Sequence, residues 1–280
     1  MKNKWKRIVI GILCVIFATI IAILVHALMP GPGTEVIEDD FDSKLVLALG
    51  FPVVASLYFV VLYLQMWGFM GILARKSKLS GPEIGFRFGI SFAAIYIVGM
   101  QEVILSSSPF TEYGKDFFLY QLSMGLGDGI PVVLLCLALS VLCFPKENIK
   151  KTGGLRITRD AIVYMLCVSC GFFTQRIIGY IFGYIDSDFK SYPLETILWA
   201  LTMGATFGIA NILLSPVFCG NVAKQRMLSL LIISINWIWF NLFIGLIYEG
   251  LFLSMLLRGL CDFTGMLIGL FIVQRKGTEL

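Results

Sequence analysis

Hydrophobic positions in this chain form long unbroken runs, separated by short polar stretches in which Lys and Arg gather. Eight runs stand out: Ile8–Leu28, Leu45–Leu73, Phe88–Leu105, Phe118–Phe144, Ala161–Ile185, Leu194–Phe218, Met227–Ile247 and Leu251–Val273. A helix needs about 20 apolar residues to cross the hydrocarbon of a bilayer, and the runs have that length or close to it. None shows the roughly ten-residue alternation of an outer-membrane barrel strand. The pattern predicts an all-α fold. It is that of a polytopic helical membrane protein with about eight transmembrane helices, forming one transmembrane domain over residues 1–280.

Composition agrees: 58% of residues are hydrophobic and only 14% charged, with a mean hydropathy of +0.87. Charge placement adds orientation. If the N-terminus is cytoplasmic and each run crosses once, the outer segments hold only Lys44, Lys115 and Lys190. Nearly all the other basic residues then fall inside, as the positive-inside rule requires. The expected topology has both termini cytoplasmic, in the plasma membrane. The net charge of +4 is thus a topology signal and no indication of nucleic acid. The acidic stretch "GTEVIEDDFDSK" after the first run reads as a solvated outer loop.

The N-terminal "MKNKWKR" followed by an apolar stretch ending "VHAL" resembles a secretory signal. Its apolar stretch is longer than the 7–15 residues of a signal core, so it is expected to stay as the first helix. The seven cysteines lie within or at the ends of the runs, where no oxidising compartment would pair them. Cys167 and Cys170 form a CxxC inside an apolar run and read as small buried hydrophobes.

The fourth run contains "SMGLGDGIP", residues 123–131. The apolar tail after Pro131 spans about 20 Å as helix, short of the ~30 Å of hydrocarbon, so Gly125, Gly127, Asp128 and Gly129 must lie inside the bilayer. Glycine and proline both weaken a helix. The fourth helix is therefore expected to be kinked or broken at Gly125–Pro131, as the discontinuous helices of transporters are around their binding sites. The alternative is a continuous helix whose Gly125 and Gly129 allow close packing. Asp128 must be paired or functional at such depth.

Other polar residues fall inside runs. Arg258 and Asp262 stand four apart, and hence on one side of a helix, about 10 Å and 16 Å from its outer end. A self-contained Arg258–Asp262 pair is the structural reading; an anion contact at Arg258, tuned by Asp262, is the functional one. Trp237 and Asn241 share a face with Ser234, and Asn236 lies beside it. Trp5, Trp67 and Trp199 are expected at the membrane interfaces, where Trp usually anchors. Glu102, Arg176, Glu249 and His26 complete an outer-half set, while the inner half has Asn211 as its main polar member. These groups are expected to converge on a polar cavity open to the outside. The spacings Gly179/Gly183, Gly204/Gly208 and Gly265/Gly269 are expected at close helix contacts.

Several chemistries are excluded by residue content. One histidine rules out an HExxH or any two-His metal site, and no GxSxG is present for a serine hydrolase. "GLGDG" lacks the strand that would make it a nucleotide loop. No metal or cofactor is expected. The leading expectation is a transporter or permease for a small solute or ion, with Asp128, Arg176, Arg258, Asp262, Glu102, Trp237 and Asn241 as its substrate or ion site. A second class is a non-catalytic membrane subunit or scaffold whose basic loop "PKENIKKTGGLRITRD" meets a cytosolic partner or anionic lipid. A third is an intramembrane enzyme using Asp128 and Asp262 as an acid/base pair, with the balance leaning away from catalysis.

Overall fold

The computed structural model describes residues 2–28, 41–73, 77–102, 114–144, 158–185, 187 and 189–277. Its helices are α1 Lys2–Leu28, α2 Lys44–Leu49, α3 Phe51–Leu73, α4 Gly81–Met100, α5 Gly114–Leu142, α6 Arg159–Phe182, α7 Pro193–Leu214, α8 Val222–Ile247 and α9 Phe252–Gly277. All but the short α2 are long and apolar enough to cross a membrane. The chain therefore has the make-up of a multi-pass membrane protein with eight spans.

Local chemistry sets the helix ends. The hydroxyls of Ser80 and Thr158 and the amide oxygen of Asn221 accept from the Glu83, Ala161 and Lys224 N–H groups at the starts of α4, α6 and α8, satisfying donors that a first turn leaves orphaned. Gly183 ends α6 at φ +70°, a left-handed cap that glycine adopts without strain. Gly183 thus terminates a helix and does not pack one against another, so the expected Gly179/Gly183 contact is not formed. The second run is split at Gly50, φ +81°, into α2 and α3.

Contacts between helix ends define an up-and-down bundle. At one end, here the upper, the Ser43 N–H donates to the Ile247 carbonyl and the Trp199 indole to the Val98 carbonyl. At the lower end Arg87 donates to the Leu213 carbonyl, and Gln274 to the Ala223 carbonyl. Arg87, which stands just before the run expected to start at Phe88, is 7% exposed inside α4. It is held there by Glu83 one turn earlier, at 2.8 Å.

Of the kink or break expected in the fourth span, the break is absent: α5 is one helix from 114 to 142, with Pro131 inside it. Its glycines have packing roles. A Cβ on Gly125 would come within 2.8 Å of the Ile97 backbone, and one on Gly129 would crowd Ile97 and Ala93. Gly81, Gly85 and Gly89 of α4 present the same smooth stripe to Ser140, Cys136 and Val133 of α5. The two helices approach backbone to backbone, the small-residue packing that lipid-embedded helices use. A second such crossing joins α6 to α9, where Gly171 lies on Gly265 and Gly269 on Cys167. Gly204 and Gly208 of α7 meet Ser169 and Met165 of α6.

Between these crossings runs an aromatic core of Phe88, Phe92, Tyr96, Phe172, Phe207 and Trp237, all buried. Trp199, expected at an interface, belongs to this core, with its indole N–H satisfied by the Val98 carbonyl at 2.9 Å.

Candidate functional site

Two polar clusters lie in the upper half of the bundle. The first is centred on Arg176, about 9 Å along α6 from its end at Phe182. Its Nε donates to Asp262 Oδ1 and its Nη2 to Asp262 Oδ2, each at 2.6 Å. This is the parallel fork that matches a guanidinium to a carboxylate. The remaining Nη1 donates to the Glu102 carboxylate. Phe172 and Trp199 each place a ring 5.3 Å from the guanidinium carbon, within cation–π range. Trp237 donates its indole N–H to Asp262 Oδ2 at 2.8 Å. Arg258 reaches Glu102 at 3.3 Å.

This cluster draws side chains from α4's end, α6, α8 and α9. Two guanidiniums face two carboxylates, so the group carries no net charge. An isolated ion in so apolar a setting would cost far more than the fold could bear. Here the counter-ions and indole meet the charges in place. Arg176 and Asp262 have no accessible surface, while the Glu102 and Arg258 side chains each keep 10%. The groups expected around a polar cavity here pair directly with one another.

The second cluster joins α1 to α5. His26 Nε2 lies 3.3 Å from Asp128 Oδ1, and His26 Nδ1 is 2.7 Å from the Ala22 carbonyl. Gly127 makes room for the ring: a Cβ there would stand 2.9 Å from its Cε1. Phe59 packs on the imidazole at 5.5 Å. Tyr58, Tyr63 and Tyr96 lie within electrostatic reach of Asp128. The Tyr96 hydroxyl donates to Asn236, whose amide donates to Gln65.

The structure thus brings Glu102, Arg176, Arg258, Asp262 and Trp237 together and gives Asp128 a different partner. Asp262 bonds to Arg176 of α6 and Arg258 to Glu102, so the expected self-contained Arg258–Asp262 pair is replaced by bonds between helices. Asp128 and Asp262 are each committed to a different base and do not form the dyad of the enzyme expectation. Asn241 turns its amide onto its own helix, at the Trp237 carbonyl. Glu249 is exposed and pairs with Lys44 at 3.3 Å, apart from both clusters. Asn211 is fully buried, and its side-chain amide has no hydrogen-bond partner among the described residues.

Sequence reasoning missed the Phe172–Trp199 walls and the His26–Asp128 pair. The walls carried a signal: Phe172 and Arg176 stand four apart and share a helix face. The two clusters are linked by a stack of rings, Tyr96 on Phe240 at 5.1 Å and Phe240 on Trp237 at 5.4 Å. No protein-family model, characterised protein or solved structure matches the chain.

Proposed function

We propose that this chain is a transporter or permease of the plasma membrane, with both termini cytoplasmic, that moves a small negatively charged solute or ion. The Arg176 cluster is the site in this reading. The observation that supports it is a fully buried guanidinium shared between carboxylates from two other helices, with a second guanidinium beside it. Arginine does not deprotonate in proteins, so this charge must always be matched. A carboxylate or other anion arriving from the upper end could take the place of Glu102, the more exposed of Arg176's two carboxylate partners. It would meet two guanidiniums there. Displacement of one counter-ion by another costs far less than opening an uncompensated charge, and it would loosen α4 from α6 and α9.

The test uses the full chain in liposomes and follows light scattering under gradients of chloride, phosphate, acetate and glutamate. Flux above protein-free vesicles is expected for at least one anion. It should be lost in Arg176→Met/Asp262→Met, which removes one charge of each sign and leaves Glu102 with Arg258. Folded protein that moves none of the four, or a double variant that still transports, overturns the reading.

A second reading is a non-catalytic membrane subunit, favoured by the fact that each of the four buried charges already has its counter-ion. Most of the basic loop that would meet its partner, residues 145–157, lies outside the described residues. Under this reading the double variant stays assembled and no anion is moved by either form.

A further inference from the structure

We propose that His26 and Asp128 form a proton-binding site that latches α1 to α5. The inference stands apart from the transport reading, because it concerns a different cluster and is tested without flux. It begins with a single contact. The Ala22 carbonyl can only accept, so His26 Nδ1, 2.7 Å away, carries a hydrogen and donates it. The tautomer is therefore set by α1 itself.

That leaves Nε2 facing Asp128 Oδ1 at 3.3 Å. One proton between them makes the contact attractive in either form, as imidazolium with carboxylate or as imidazole with carboxylic acid. Without it a nitrogen lone pair faces a carboxylate, both acceptors, with a full negative charge left where Asp128 is 4% exposed. The proton is the bond. The two groups share it as one coupled unit, and its loss turns an attraction into a repulsion.

Among the described residues, Asp128 is the one charged group acting on His26. Tyr58 and Tyr63 of α3 and Tyr96 of α4 lie within electrostatic reach of Asp128. All three are buried phenols. On α5 itself the nearest titratable neighbour below Asp128 is Cys136, also buried. Two buried hydroxyls, that of Tyr63 on α3 and, two turns below His26 on α1, that of Thr19, have no hydrogen-bond partner among the described residues. Helix α1 packs mainly on α3 and α5 and is among the least buried of the spans, so its hold on α5 is sensitive to the loss of this contact.

The chain has one histidine, which makes the site directly readable. Full-length protein in nanodiscs, with ¹⁵N-labelled histidine and ¹³C-labelled aspartate, is titrated by NMR. The Asp128 carboxyl signal is identified by its absence in Asp128→Asn. The expected result is that Nδ1 stays protonated while Nε2 and the Asp128 carboxyl respond over one common pH interval. Amide exchange of residues 2–28, corrected for intrinsic rate, should rise several-fold across that interval. In Asp128→Asn the amide can serve Nε2 at every pH, its N–H donating to the neutral imidazole and its oxygen accepting from the imidazolium, so the latch should stay closed and the rise should vanish. Separate intervals for the two groups, a titrating Nδ1, or α1 protection as indifferent to pH in the natural protein as in the variant would each overturn the proposal.

Discussion

The two clusters pose one problem, a carboxylate buried beside a base, and answer it with different bases. Asp262 faces a guanidinium and Asp128 an imidazole. A guanidinium keeps its proton throughout the accessible pH range, whereas an imidazole titrates near neutrality when unperturbed. The Arg176 cluster is therefore a permanent tie between α6, α9 and the end of α4. The His26 contact lasts only while a proton is present. Charge count alone does not separate the two. Geometry does: Arg176 uses its fork, two carboxylates and two aromatic walls, while His26 has one polar contact to Asp128, one to its own helix and a single ring, Phe59, beside it.

The sharpest way to break the comparison is to remove the permanent cation. Arg176→Met leaves Glu102 and Asp262 with a single guanidinium, that of Arg258. Deleting one partner of a buried pair costs about 3–5 kcal/mol. Equilibrium unfolding in mixed micelles should show a loss of that size, or the variant should fail to accumulate. Arg176→Met/Asp262→Met restores neutrality and should recover most of the loss. If the double variant is no more stable than the single one, charge balance does not hold the cluster together.

A smaller effect is expected at Trp237. Trp237→Phe keeps a ring on Phe240 but removes the 2.8 Å donor to Asp262. Hydrogen bonds to charged groups contribute about 1.5–3 kcal/mol. The same unfolding measurement should fall in that interval, and the effect should shrink when measured in the Arg176→Met/Asp262→Met background, where no acceptor remains. An equal loss in both backgrounds would assign Trp237 to packing alone.

Much of this contrast was out of reach of the sequence, for a physical reason. Helix existence depends on local composition, and the eight runs correspond to the eight long helices, with ends displaced where caps or a buried charge decide. The run expected to start at Phe88 begins at Gly81 because Ser80 caps it and Arg87 finds Glu83 one turn back and the Leu213 carbonyl. Polar partners are decided by which faces meet. Arg258 and Asp262 sit four apart, so spacing suggested a bond within one helix. The bonds that form instead span 74 residues between Glu102 and Arg176 and 86 between Arg176 and Asp262. The glycine stretch before Pro131 was equally ambiguous. Its composition suits a break or a close crossing, and only the opposing stripe Gly81, Gly85, Gly89 tips it toward packing. That spacing of four stands in the sequence but was not among the glycine pairs read from it, because its meaning lay in the α5 partner.

The mildest change tests the comparison most directly, because the same substitution is made in both clusters. Aspartate to asparagine keeps the shape of the side chain and removes its charge. At position 262 it should be costly, since Arg176 would lose its bidentate partner and an amide offers a guanidinium one acceptor oxygen in place of two. At position 128 it should cost less than about 1 kcal/mol, because the amide N–H can donate to the neutral imidazole and the net hydrogen bond kept is of that order. The difference between the two variants, measured in one unfolding series at pH 7.5, reads the role of the base without touching the base itself. Equal losses at both positions would mean that His26 holds Asp128 as firmly as Arg176 holds Asp262, and the division into a permanent tie and a protonated latch would not stand.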